Sequence, residues 1–289
     1  MNQYRQLLES LRASKLKIHG IEVYRGGGVS LREMTGHDVR YPAYSATKSV
    51  TSLAIGIAEA EGKIDISRPL ADYLDTAYLS AMPEDKREAF SRLPVERFLT
   101  MTVSGYSFRP EGEDWLSNVL GADVDYSAQP QFHYTNVQAY LAGIACENAV
   151  GMPLDQYLTQ RLFEPMGIEA PEFRKDAQGR FYGASGMYLT VHELAQLGVL
   201  CLNEGSYEGR QLVPAEWIRR ASGSHADAGD KGGYGYYFWQ NGNTYSISGK
   251  WGQRSIVCPE KGTVVTYMAD VRSEPEKLQR IAEEFIANI

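Results

Sequence analysis

The chain has 289 residues, 43% of them hydrophobic, and a formal net charge of −7, enough to bury a substantial core as one large domain or two lobes. The acidic balance argues against nucleic acid as a general partner, because phosphate binding needs clustered Lys and Arg. No stretch approaches the length of an apolar membrane span, and Cys146, Cys201 and Cys258 lie far apart, with neither disulfide-framework nor metal-ligand spacing.

Residues 1–17 mix charge with a short apolar stripe at Tyr4, Leu7, Leu8 and Leu11, which predicts an amphipathic helix and not an export leader. On this reading the chain is cytoplasmic as given, although one whose leader had been removed would look the same. Ile18 to Tyr24 and Val29 to Met34 flank Gly26-Gly27-Gly28, the pattern of a β-hairpin. Val50, Leu53, Ala54, Ile57 and Ala58 then recur at the spacing of a helix with one buried face. Shorter helices are expected at Pro69–Leu74, 84–92 and Val95–Leu99, and longer ones at Thr135–Val150, Leu154–Met166 and Val191–Leu202. The tail turns β-prone at Tyr234–Gln240, Thr244–Ser248, Arg254–Cys258 and Thr263–Ala269, before a closing helix at Glu274–Ile289. The expected fold is α+β: an antiparallel sheet from the N- and C-terminal strands, flanked by helices, with a mainly helical inserted subdomain. As one catalytic domain it divides into an α/β lobe, about 1–65 and 215–289, and a helical lobe, about 66–214.

The chemistry-bearing signal is Ser45-Ala46-Thr47-Lys48 at the start of the first long helix. Residues three apart on a helix are neighbours. A desolvated lysine with a lowered pKa can take the proton that makes a serine hydroxyl nucleophilic, and the helix N-terminus favours negative charge beside it. A second match, Ser14-Lys15-Leu16-Lys17, leads into a strand and not into a buried helix. Tyr134-Thr135-Asn136 opens the next long helix. A tyrosine beside a lysine ammonium can have its pKa lowered and relay protons, and an asparagine can orient a carbonyl or the lysine. Equally, Tyr134 would serve as a core aromatic and Asn136 as an N-cap. Lys250-Trp251-Gly252 follows a strand, where a lysine can hold an anionic group and the glycine lets a substrate approach the backbone. The N–H of Gln253 would then face a developing oxyanion.

The ordered set Ser45-x-x-Lys48, Tyr134-x-Asn136, Lys250-x-Gly252 resembles the serine β-lactamase-like superfamily. That group includes class C β-lactamases, D-alanyl-D-alanine carboxypeptidases and related esterases and amide hydrolases. The segments ATKSVTSLAIGIAEAEGKIDISRPLADYL, VERFLTMTVSGY, YTNVQAYLAGIACENAVGMPLDQYLTQRLFEPMGI and GASGMYLTVHELAQLGVLCLNEG extend the likeness over most of the chain. The resemblance implies Ser45 as acylated nucleophile, Lys48 as base or proton relay, and Tyr134 as the group that protonates the leaving group. It implies Asn136 as orienting residue, Lys250 as a nearby charge, and the backbone N–H groups of Ser45 and Gln253 as oxyanion hole. Which of Lys48 and Tyr134 is the base in each half-reaction stays open.

Trp251 departs from the pattern, since β-lactam-processing relatives carry a small hydroxyl residue there; an indole would narrow the cleft. Arg254 offers a substitute for carboxylate recognition. His133 and His192 read as packing or surface residues, and no metal or cofactor is expected. The resulting expectation is a serine hydrolase acting on a small ester or amide. A D-alanyl-D-alanine carboxypeptidase or β-lactamase with a peptide or lactam substrate is the alternative, and a non-catalytic binding relative the third class. The sequence does not set the oligomeric state.

Overall fold

The computed structural model describes residues 3–124, 129–169 and 171–289. Its main sheet has eight strands. They are β1 (Ile18–Arg25), β2 (Gly28–Met34), β3 (Ala226–Asp227), β4 (Gly233–Tyr234), β5 (Trp239–Asn241), β6 (Thr244–Gly249), β7 (Gln253–Cys258) and β8 (Thr263–Ala269). The order is β2-β1-β8-β7-β6-β5-β4-β3, and every neighbouring pair is antiparallel. The two ends of the chain thus meet in one sheet. The β1–β2 hairpin turns where predicted, with Gly26 and Gly27 at φ +65° and +87°, a region that costs glycine nothing.

Alternation along the central strands sends side chains to two different layers. Ile256, Val265 and Tyr267 face α1 (Gln3–Ser14) and α6 (Pro275–Asn288), where Leu7, Leu11, Leu278 and Phe285 complete a core. Ser255 and Val264 face α4 (Val191–Leu202), which approaches closely because residue 198 is glycine: a Cβ there would stand 2.1 Å from Ser255 Oγ. Helix α4 therefore belongs to the sheet side, although its sequence position falls in the stretch expected to form the helical lobe. Thr190 caps it through a reciprocal bond pair with Glu193.

Helix α2 (Ala46–Ala60) is not amphipathic in the sense its apolar stripe suggests. Every residue from Ala46 to Ala58 is buried, because α2 is enclosed between β6, α3 (Asn136–Val150) and α5 (Ala215–Ser222). Two other expectations are corrected. The helix expected to run from Leu154 to Met166 is α-helical only to Leu158, continues as a wider π turn over Thr159–Phe163 and ends as a 3-10 turn. Pro165 has no N–H to continue the regular ladder. The strand expected over Tyr234–Gln240 is split, since Tyr237 sits at φ +68° and the Gly235 N–H bonds the Phe238 carbonyl across the break.

Gly56, in the middle of α2, lies where an added Cβ would meet the Trp217 ring at 2.3 to 2.5 Å. In an exposed helix Gly→Ala would stabilise by up to about 1 kcal/mol; here overpacking dominates. Gly56→Ala should destabilise the chain by about 1–3 kcal/mol in urea unfolding, and an increase in stability would show that the α2–α5 contact is looser than described.

Candidate active site

Ser45 is the residue immediately before α2, not a residue within its first turn. Serine at such a position usually caps the helix with its side chain. Ser45 instead has helical dihedrals (φ −68°, ψ −9°) and makes no capping bond, so its hydroxyl is free for other partners. The preceding Tyr44 is held at φ +48°, a costly conformation for a tyrosine, and this turn brings the partly exposed Ser45 to the surface of an otherwise buried segment.

Lys48 is 1% exposed. Its Nζ lies 3.1 Å from Ser45 Oγ, 2.6 Å from Asn136 Oδ1 and 2.8 Å from the Ala184 carbonyl oxygen. Burial disfavours the charged amine and lowers its pKa to about 7. Asn136 reaches Lys48 because it is the first residue of α3, whose N-cap is Thr135, not Asn136 as its residue type had suggested. The Asn136 side chain also lies near the Tyr182 phenol, where it opposes the rise in pKa that burial causes. The Ala184 carbonyl comes from a strap, residues 183–187, pinned along α2. Thr51 donates to the Gly183 carbonyl at 2.7 Å, and the Met187 N–H donates to Thr47 Oγ1 at 3.2 Å.

The Ser45 hydroxyl is near enough to the Tyr134 phenol to favour its ionised form, and the Lys48 Nζ is 4.9 Å from the Tyr134 ring centroid. Proximity to an ammonium was expected to lower the tyrosine pKa. Burial acts more strongly, and despite the Ser45 hydroxyl the phenol is pushed up to about 12. At neutral pH Tyr134 is therefore a proton donor.

The third motif is placed differently from the other two. The Lys250 side chain is exposed and its Nζ lies over the Trp251 ring, 4.2 Å from the centroid, not among Ser45, Lys48 and Tyr134. A Cβ on Gly252 would point at Ala269 and Leu278, toward α6. The Gln253 side chain is buried and donates to the Lys250 and Ala269 carbonyls. The strand meets the nucleophile segment earlier, at Gly249, where an added Cβ would stand 2.2 Å from the Ala43 carbonyl oxygen. Spacing alone could not reveal this, because a lysine and a glycine two apart fit the turn between β6 and β7 as well as the strand itself. Trp251 does border the site: at φ +64° it packs edge-on against Tyr44, ring centroids 5.0 Å apart. Arg254 donates to Ser248 Oγ at 2.9 Å across the strand pair, and His133 contacts the Tyr106 carbonyl. His192, on α4, lies against Glu22 of β1.

Two contributors were not singled out in the sequence, the Ala184 carbonyl and Tyr182. A backbone acceptor leaves no residue-type signal, although it falls within the GASGM stretch that carries part of the family likeness. Among the described residues no group of three or more His, Cys, Asp and Glu side chains is arranged to hold a metal ion. No helix of the described residues is long and apolar enough to cross a membrane.

A sequence model of the family named Beta-lactamase matches residues 18–287. A candidate 6-aminohexanoate-dimer hydrolase from Bacillus anthracis superposes with a TM-score of 0.78 at 17% identity, covering 97% of this chain and 80% of that one. A penicillin-binding protein from Bacillus halodurans gives 0.72 at 18% identity, covering 96% and 98%. Among curated proteins, a candidate D-alanyl-D-alanine carboxypeptidase from Salmonella gallinarum is 23% identical over 153 residues. That match spans 48% of this chain and 35% of the relative.

Removing the Asn136 acceptor should drive the Lys48 pKa down further, since the lost bond favours the charged amine more than the neutral one. In Asn136→Ala the midpoint for Ser45 modification by a fluorophosphonate, followed against pH, should move below the wild-type value near 7. An upward move would show that Asn136 does not stabilise the ammonium.

Proposed function

The chain belongs to the beta-lactamase family of hydrolases, and on that premise we propose that it cleaves a small ester or amide through an acyl-enzyme on Ser45. The observation that carries this reading is the set of contacts around Lys48. A neutral amine has two N–H bonds and one lone pair. Asn136 Oδ1 and the Ala184 carbonyl accept the two N–H bonds, which leaves the lone pair for the Ser45 hydroxyl. With its pKa near 7, Lys48 is available in that neutral form at physiological pH.

In the proposed reaction Ser45 Oγ attacks the carbonyl carbon while its proton passes to Lys48. The tetrahedral intermediate places its oxyanion at the N-terminus of α2, toward the Ser45 N–H. We place the second donor at the end of β6, in the N–H of Lys250 beside Gly249, and not in the N–H of Gln253 as first expected. Tyr134, protonated at this pH, donates to the departing oxygen or nitrogen and recovers its proton from Lys48. Water then reverses the sequence and frees the acid. Asn136 and Ala184 hold the base in place, and Trp251 with Tyr44 bounds the cleft beside the nucleophile.

A second reading, a D-alanyl-D-alanine carboxypeptidase or β-lactamase, is supported by the partial likeness to the Salmonella gallinarum relative. Against it stand the indole at residue 251 and the outward placement of Lys250. Parallel incubation with p-nitrophenyl esters and with nitrocefin separates the two.

Ser45→Ala should abolish both ester turnover and the acyl adduct seen by intact mass. Tyr134→Phe should lower kcat by about 10²–10⁴-fold while Ser45 remains open to labelling. Ester turnover retained in Ser45→Ala would overturn the reading.

A further inference from the structure

The Tyr134 ring is one of four that pack as a closed group. Phe132, Tyr134, Tyr234 and Trp239 each contact the other three, with all six centroid distances between 4.8 and 6.3 Å. Phe132 and Tyr134 are two apart in the extended segment before α3, and Tyr234 and Trp239 are partners across the β4–β5 pair. Tyr234 is buried, whereas Phe132 and Trp239 keep part of their surface open. Phe132 also lines a cleft of about 550 Å³, together with Pro130 and the β3 residues Ala226 and Asp227. Phe132 is the one ring of the four that lines this cleft, which runs along β3, the strand paired with β4.

The placement has a chemical consequence that rests on the acyl-enzyme reading. Whatever accepts the Tyr134 proton must lie at the phenol tip, and the rest of that departing group must continue past the neighbouring rings. We propose that Phe132 and Trp239 form the leaving-group platform of this enzyme, opening into the 550 Å³ cleft, and that its substrates are esters or amides of aromatic alcohols or amines. A planar group stacks on the exposed ring surfaces in offset or edge-on geometry, and the cleft falls within the usual size range of small-molecule sites. In the step concerned, the bond from Ser45 Oγ to the acyl carbon forms and the carbon–oxygen or carbon–nitrogen bond to the aromatic group breaks. The Tyr134 proton leaves with that group and is replaced from Lys48.

Binding and turnover test this separately. In the Ser45→Ala chain, titration with 4-nitrobenzyl alcohol should quench tryptophan fluorescence to saturation, and adding Trp239→Leu should remove that quench. In otherwise wild-type enzyme, the ratio of kcat/KM for 4-nitrobenzyl butyrate to that for methyl butyrate should fall about threefold to tenfold in Phe132→Leu and in Trp239→Leu, the size of one aromatic contact. Comparing a ratio between variants cancels the different intrinsic reactivities of the two esters. No quench, an equal quench without Trp239, or an unchanged ratio would overturn the proposal. The quench needs no turnover, so a retained quench with loss of Ser45 acylation would sink the hydrolase reading, and with it the leaving-group role, while still showing that Phe132 and Trp239 bind an aromatic group.

Discussion

The Ser45 centre depends on keeping one lysine amine out of water. Lys48 is buried in a helix that is itself enclosed on all sides, and the lowering of its pKa to about 7 corresponds to roughly 5 kcal/mol of destabilised charge. The surrounding fold is arranged to bear that cost. Thr47 and Thr51 pin the 183–187 strap against α2, the strap delivers the Ala184 carbonyl, and the start of α3 delivers Asn136. Each partner comes from a different part of the chain. The amine is thus fixed by tertiary structure and not by its own helix.

That dependence explains what was legible in the amino-acid sequence. The Ser45–Lys48 pair was readable because both residues lie at the start of one helix, where three-residue spacing and a shared surface follow from local geometry. Tyr134 and Asn136 were readable as a motif at a helix entrance, but the balance of forces on Tyr134 was not. Burial pushes its pKa up and the Ser45 hydroxyl pulls it down, and only the packed site shows that burial prevails. The placement of the third motif was hidden for a related reason. A strand-edge position is defined by its neighbours: Gly249 pairs with Gln253 at the closed end of the β6–β7 hairpin, and the close approach to Ala43 occurs on Gly249. Lys250, Trp251 and Gly252 form the turn itself. The general fold was clearer than these details because alternation in β6, β7 and β8 is a local pattern, whereas the break at Tyr237 is set by a backbone conformation its residue type does not announce.

The eight-stranded sheet also determines which surfaces remain for substrate. Strand β6 extends beyond its last pair with β5, which is Trp239 with Ser246, so Ile247 to Gly249 continue toward the nucleophile with β7 as partner on the other side. The short strands β5 and β4 turn away at this point, and their residues Trp239 and Tyr234 close around Tyr134. The same break that frustrates a continuous strand over residues 234–240 therefore builds the aromatic wall. A strand without the left-handed turn at Tyr237 would send these rings along the sheet instead of pairing them face to edge at 4.8 Å.

One physical cause sets both ends of the proposed proton relay. Desolvation lowers an amine pKa and raises a phenol pKa, because in each case it disfavours the charged form. Above about pH 7 the crevice therefore holds a neutral base and a neutral acid on either side of Ser45. No ion pair needs to be held there before the substrate arrives. Charge appears only as the reaction proceeds, when an ammonium on Lys48 and an oxyanion near the start of α2 form together. Their mutual attraction is strongest where water is excluded, and the helix N-terminus contributes in the same direction. A ground state with an ammonium and a phenolate already paired would gain much of that attraction before the barrier, and so lower it less. Burying Lys48 and Tyr134 in the same crevice reserves the electrostatic gain for the transition state.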